Sequence, residues 1–372
     1  MNPLTLPLKR VPPSPRRGEG WGKGAGGNRR PRLELGMGRR LGKRRRDPLD
    51  PEGMRILFVT ATRVGDAVLS TGLLSHLIER FPAARITIAA GADAIPLFED
   101  VPGLEQLIGF RKRKWSLHWL DLYRAVVGRR WDIVVDLRAS AIAYLLWTRE
   151  RHVAEKRQVG EHRVRQLSRI LNLDPPAAPK LWIALHREAE AARMVPPGGP
   201  VLAIGPAANW RGKEWRGERF AELALRLTAP SGLFPGARVA VLAAAHERPQ
   251  AMPLIEALPE SQRLDLVGKI DLLTVAAVIR RCALFVGNDT GLMHLAAAAR
   301  TPTLGLFGPS PIDQYAPWGP HTAVVATAIA HRDLIPPDFD RLTTDTLMDS
   351  LSVDMVEQGV RDLWARVAGK AA

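Results

Sequence analysis

Asp289, Thr290, Gly291 and His294 stand in the stretch Phe285–Pro309, FVGNDTGLMHLAAAARTPTLGLFGP. An apolar strand, Ala283–Val286, runs there into a polar, glycine-flanked turn, and a helix opens. Such a turn points backbone N–H groups outward at the positive end of a helix dipole, which suits an anionic ligand such as a phosphate. Asp289 or Thr290 could equally cap the helix, and a His near a helix start is often structural. A second loop, Pro206–Arg216 (PAANWRGKEWR), follows the strand VLAIG and carries Trp210, Arg211, Lys213, Trp215 and Arg216 ahead of a helix. Cations beside a helix start suit phosphate; a solvated basic loop over packed tryptophans is the competing reading. Gly212-Lys213 lacks the Ser/Thr and the spacing of a Walker A loop.

A third loop, Ala61-Thr62-Arg63-Val64-Gly65-Asp66, ends the first strand and brings one carboxylate to a helix start. Asp66 there is either an N-cap or a general base, and one residue can do both. The loop is not the dinucleotide fingerprint, because no G-x-G-x-x-G is present. Asp338-Phe339-Asp340 has the D-x-D shape of metal-dependent sugar transferases. It falls in an irregular polar region rather than after a strand, so the match is read as coincidence and no metal is expected.

These loops need strands and helices to hold them. Apolar runs at Arg55–Thr60, Arg85–Ala90, Gln106–Phe110 and Asp132–Leu137 alternate with helical patterns at Asp66–Phe81, Asp93–Glu99, Ser116–Arg129 and Val159–Asn172. This is βαβ patterning and predicts a parallel sheet covered on both faces. The composition changes around Leu173–Pro200, where LDPPAAPK, a short strand LWIAL, a charged helix and PPGGP follow one another. A second alternating series then has strands at Val201–Ile204, Arg238–Leu242, Leu264–Val267, Ala283–Val286 and Thr303–Phe307. Its helices are Gly217–Leu227, Arg248–Leu258, Leu272–Arg280 and Leu292–Ala299, with a last amphipathic helix at Val353–Val367. The organisation expected is a tail (1–53), an N-terminal domain (54–185), a C-terminal domain (186–352) and a terminal helix (353–372). Two doubly wound α/β domains imply a cleft flanked by the C-terminal ends of both sets of strands.

Composition bounds the rest. The 372 residues are 46% hydrophobic, as in globular proteins, and no apolar run reaches the length of a membrane span. Cys282 is alone, which excludes a disulfide framework and two-cysteine metal spacings and fits a reducing cytoplasm. Residues 1–53 hold 14 Lys/Arg against 5 Asp/Glu, so +9 of the formal +15 lies in the tail. This Pro-, Gly- and Arg-rich tail has no hydrophobic period and is expected to be disordered. Its Lys43–Arg46 cluster could touch nucleic acid or an anionic membrane, or do nothing. Met54 opens a strand directly, so the tail is also readable as an upstream start assignment.

With these pieces in order, the chain resembles glycosyltransferase family 9, the ADP-heptose:lipopolysaccharide heptosyltransferases, from about Met54 to Val367. Four segments carry the resemblance: ILFVTATRVGDAVLSTGLL, GPAANWRGKEWRGERFAEL, LVGKIDLLTVAAVI and VGNDTGLMHLAAAARTPTLGLFGPS, with MDSLSVDMVEQGVRDLW similar to the family's last helix. The resemblance implies the GT-B fold, two Rossmann-like domains facing a cleft. It implies inverting transfer of heptose from ADP-heptose to the inner core of lipopolysaccharide, without a metal or other cofactor. Asp66 then resembles the catalytic base, Lys213 the donor-phosphate residue, and Asp289, Thr290, Gly291 and His294 the donor signature. Trp210, Gly268 and Lys269 fall on the nucleotide side. Arg63, Gly65, Arg111 and Arg113 fall on the acceptor side, with Lys112, Lys114, Arg129 and Arg130 as further cations for an anionic glycolipid at the inner membrane. Asp289, being negative, is expected to meet a hydroxyl or its own loop amides rather than phosphate. Asn209-Trp210-Arg211-Gly212 departs from the small hydroxyl residues usual before the family's lysine, which bears on the donor sugar more than on the fold. No nucleic-acid partner is expected, and the implied location is cytoplasmic, peripheral at the inner membrane. The alternatives are a GT-B enzyme using another nucleotide sugar, such as another transferase or an epimerase, or a non-catalytic nucleotide-sugar binder.

Overall fold

The computed structural model describes residues 53–111, 113, 117–155, 158–335, 339–340 and 343–369. The readings of the tail, of Lys112 and Lys114, and of Asp338 lie outside these residues.

The first series contains β1 (Arg55–Val59), α1 (Val64–Arg80), β2 (Arg85–Gly91), β3 (Leu104–Phe110), α2 (His118–Val126), β4 (Trp131–Asp136), α3 (Ile142–Leu145), β5 (Thr148–Val153), α4 (Arg163–Arg169) and α5 (Leu185–Met194). The second contains β6 (Val201–Gly205), α6 (Gly217–Thr228), β7 (Arg238–Val241), α7 (Arg248–Ala257), β8 (Arg263–Asp265), α8 (Leu272–Arg280), β9 (Leu284–Asn288), α9 (Gly291–Ala298), β10 (Thr303–Phe307), α10 (Ile312–Tyr315), β11 (Thr322–Ala326) and α11 (Val353–Ala368). The strands form two parallel sheets, ordered β3-β2-β1-β4-β5 and β11-β10-β9-β6-β7-β8. Each is a doubly wound sheet, and together they make the α/β architecture of a GT-B protein.

Alternation along the strands builds three apolar layers. In β1, Ile56 and Phe58 face one layer while Leu57 and Val59 face the other. In the second sheet Val201, Ala203 and Phe285 join the same layer as Ile56 and Phe58, whereas Leu202, Ile204, Leu284 and Val286 point to the far side. The two sheets therefore share a central apolar layer, filled by α1, α4, α5, α8 and α9. Helices α6, α7 and α11 cover the outer face of the second sheet, and α2 and α3 that of the first.

Arg187 on α5 ties the halves electrostatically. Its Nε lies 3.0 Å from Asp100 and its Nη2 2.6 Å from Glu99, both following β2, while Nη1 pairs with Asp271, the N-cap of α8. One expectation needs correction, and two strands are additional. LWIAL forms no strand: Lys180 N donates to Thr71 Oγ1 and Ala184 N to Asp100, so side chains occupy flanking donors. Thr148–Val153 and Thr322–Ala326 are strands that the apolar-run reading did not assign. Cys282 is buried just before β9, and burial pushes its thiol up to about 12, as suits a small core residue.

Candidate active site

The three loops singled out by their chemistry leave the C-terminal ends of β1, β6 and β9, so the folds bring them to the same side of their sheets. The starts of α1 and α9 meet closely. A Cβ built on Gly65 would lie 2.9 Å from His294 Cδ2 and 3.6 Å from Gly291 Cα. One built on Gly291 would lie 3.0 Å from the Val64 side chain. Two facing glycines thus allow two helix N-termini to approach, and any side chain at either would push them apart.

Neither helix is capped by a side chain. Arg63 holds the N-cap position of α1 and Thr290 that of α9, both extended and without a side-chain cap bond. Asp66 is therefore not an N-cap but the third residue of α1, a half-buried acid in the first turn. A carboxylate there is favoured by the helix dipole by about 0.3–1 kcal/mol. Arg63 itself is exposed. The loop between them is buttressed by β2: Gly91 N donates to Ala61 O at 3.1 Å, and a Cβ on Gly91 would lie 2.4 Å from Thr62 Cα.

Beside the start of α9, Lys213 Nζ donates to Asp289 Oδ2 at 2.5 Å, although the two are 76 residues apart. Asp289 is 7% exposed, and its other oxygen is 3.8 Å from His294 Nε2. The Asp289 carboxylate thus meets Lys213 and His294. Burial pushes His294 below its ordinary imidazole value; Asp289 and Asp66 pull the other way, and His162 and Lys213 add to the lowering. These five side chains therefore form one electrostatic neighbourhood that includes both Asp66 and Lys213.

The loop carrying Lys213 is held from two sides. Asn288, fully buried at the end of β9, accepts from Trp215 N at 3.1 Å and donates to Pro206 O at 2.8 Å. Trp215 is buried, donates through Nε1 to Leu351 O at 2.8 Å and packs edge-on against Phe220. Arg211 pairs with Glu214 and Asp345, and Arg216 with Asp345 and Asp349. Those two arginines serve the loop's own structure, which leaves Lys213 as the cation aimed toward Asp289. Trp210 lies under Gly212 and meets Phe339 edge-on, so the middle residue of the D-x-D match packs on the loop.

The remaining candidates are less central. Gly268 turns the chain at φ +67° after β8, tight against Ala245. Lys269 bonds Asp265 at 3.1 Å; burial works against that carboxylate's charge, but Arg248 and Lys269 outweigh it and bring its pKa down to about 2. Arg111 is exposed at the end of β3, and Arg113 pairs with Asp121 of α2 at 2.7 Å. Arg129 is half-buried and Arg130 exposed before β4. Sequence reasoning missed His162, the N-cap of α4, whose Nε2 lies 2.9 Å from Ala316 O and whose ring lies 4.7 Å from that of Trp318. It also missed Asn288; a polar residue ending an otherwise apolar strand was the signal for it.

Comparison with known proteins gives a consistent picture. The sequence model of glycosyltransferase family 9 (heptosyltransferase) matches residues 122–334. Lipooligosaccharide heptosyltransferase 2 of Haemophilus influenzae is 26% identical over 302 residues, spanning 71% of this chain and 86% of the relative. A glycosyl transferase family 9 structure from Veillonella parvula superposes with a TM-score of 0.67 at 18% identity, over 84% of this chain and 97% of its own. The E. coli ADP-heptose LPS heptosyltransferase II structure gives 0.65 at 20%, over 85% and 100%.

Proposed function

The chain belongs to glycosyltransferase family 9 and is a glycosyltransferase, and from that premise we propose that it transfers a heptose from ADP-heptose to the inner core of a lipopolysaccharide acceptor. The observation that carries this reading is the meeting of two uncapped helix starts, one bearing Asp66 and the other beside the Lys213–Asp289 pair.

The acceptor half is residues 54–185 and the donor half 186–352, with 353–372 closing the fold. An acceptor hydroxyl attacks the anomeric carbon while Asp66 takes its proton. The bond from that carbon to the diphosphate oxygen breaks, and ADP leaves with the electron pair. Displacement on the face opposite ADP inverts the anomeric configuration. A positioned carboxylate base contributes typically ~10²–10⁴-fold. The charge developing on ADP falls at the start of α9, whose N–H groups and dipole favour an anion. Lys213 has three N–H donors, so it can keep Asp289 and still donate to a phosphate oxygen. Asp289 holds the lysine in place and balances its charge before the donor arrives. Trp210, Gly268 and Lys269 form the nucleotide side; Arg63, Arg111 and Arg113 face the anionic acceptor.

The departure at Asn209–Gly212 keeps a second donor sugar in play, because these residues border the lysine. Product analysis with ADP-heptose and a truncated core acceptor decides the matter. Heptosylated product is expected. Product with another nucleotide sugar and none with ADP-heptose would sink the heptose reading, and nucleotide-sugar binding without any turnover would sink the transferase mechanism.

A further inference from the structure

The peptide groups on both sides of Lys213 are held by a segment far along the chain. Leu347 N donates to Gly212 O at 3.1 Å, and Thr346 Oγ1 donates to Glu214 O at 2.5 Å. Those two carbonyls belong to the residues immediately before and after the lysine. The Thr346 hydroxyl also accepts from Met348 N at 3.1 Å, so one oxygen ties the segment to itself and to the loop. Thr346 is 8% exposed and Glu214 4%, which shields both bonds from competing water.

Residues 345–351 are neither helix nor strand and lead into α11, yet they are anchored throughout. Asp345 pairs with Arg211 at 2.9 Å and with Arg216 at 3.1 Å. A Cβ built on Gly308, just past β10, would lie 2.5 Å from Met348 Sδ. Leu351 O accepts from Trp215 Nε1 at 2.8 Å. In the sheet β9 lies between β10 and β6. The segment therefore straps together the two loops that flank the end of β9, where Asp289 stands.

We propose that Thr346 is a positioning residue for Lys213, and that affinity for the donor's phosphates depends on its hydroxyl. The proposal rests on the reading of Lys213 as the donor-phosphate residue. A lysine ammonium rides on a flexible four-carbon stem, so it is placed only as well as its ends are held. Asp289 holds the far end at Nζ, and the strap holds the backbone end. The local structure is a single 3₁₀ turn, Arg211–Lys213, too short to fix its own place. Without the hydroxyl, Glu214 O and Met348 N lose a buried partner. The loop recovers those bonds by moving toward water, and the lysine moves with it.

The test is calorimetry of ADP binding to the full chain, comparing the parent with Thr346→Val, Thr346→Ser, Lys213→Ala and the double variant Thr346→Val/Lys213→Ala. Valine keeps the shape of threonine and removes the hydroxyl. Thr346→Val is expected to weaken ADP binding about fivefold, and Thr346→Ser to keep parental affinity. Action through the lysine further requires that Thr346→Val add nothing once Lys213 is alanine. An equal fall in that background would overturn the proposal, because it would report a general loosening of the fold. Parental affinity in Thr346→Val beside a weakened Lys213→Ala would overturn it and leave the lysine reading standing. Parental affinity in Lys213→Ala, or no ADP binding by the parent, would remove the lysine reading and the proposal together. If Thr346→Val does not fold, Asp345→Ala takes its place, since that side chain is 62% exposed. The expected loss is then about twofold, and again absent without the lysine.

Discussion

The starts of α1 and α9 are built alike and charged differently. Both helices begin without a side-chain cap, and each presents a glycine to the other. α1 carries Asp66 in its first turn, so an internal anion already occupies the neighbourhood of its dipole. α9 has no acid in its first turn; the nearest carboxylate, Asp289, precedes the helix and is taken up by Lys213. One helix start is thus furnished with a group that can accept a proton, and the other is left for an anion from outside. Two extended, uncapped starts serve two roles because a few side chains decide what the dipole sees.

Breaking the α1 start should have the largest effect. Asp66→Asn keeps the shape and removes the base, so kcat is expected to fall ~10²–10⁴-fold with ADP affinity retained. Steady-state kinetics with ADP calorimetry check this, and unchanged turnover would remove Asp66 from the mechanism. Next, Gly291→Ala places a Cβ 3.0 Å from Val64 and pries the two starts apart. Misplacement on this scale costs up to about 10²-fold in rate. A variant with parental kcat would show that their approach has no catalytic weight. On the donor side, Lys213→Ala removes a charge-assisted bond and is expected to weaken donor binding roughly tenfold. Parental donor affinity and rate together would contradict a phosphate role.

The smallest effect is on stability and comes from His294. Burial holds it below its ordinary value of 6.5, and burial likewise lowers His162 against the bond to Ala316. The unfolded chain therefore binds these protons at a pH where the folded chain does not. Stability contributed this way is complete above about pH 6.5 and declines as pH falls through the window just below it. His294→Gln should lose less melting temperature than the parent between about pH 7.5 and about pH 5.5. An identical drop in both proteins would assign the acid sensitivity elsewhere.

Much of this arrangement was readable from residue types. β1 and β10 announced themselves as apolar runs ending in turns, and α8 as a helix behind Asp271, which caps it. β5 was not legible, because an edge strand reading TRERHV needs apolar residues on neither exposed flank. LWIAL misled for the opposite reason: Leu181 is buried in the shared layer without any strand partner. At the site, the spacing Asp289-Thr290-Gly291 and the lone carboxylate Asp66 pointed to two loops whose helix starts lie against each other in the structure. The pairing of Lys213 with Asp289 did not show, since it joins the loops after two different strands, a distance that sequence spacing cannot measure. Nor did His162, whose neighbours Ala316 and Trp318 lie in the other half of the chain.

Gly91 gives the loop at Ala61–Asp66 an author outside itself. A methyl group at that strand end would occupy the place of the Thr62 backbone, so the path of the loop is written partly in β2. Anyone transplanting this loop into another scaffold, or swapping residues 61–66, must carry position 91 along. The portable unit is a loop plus one distant vacancy.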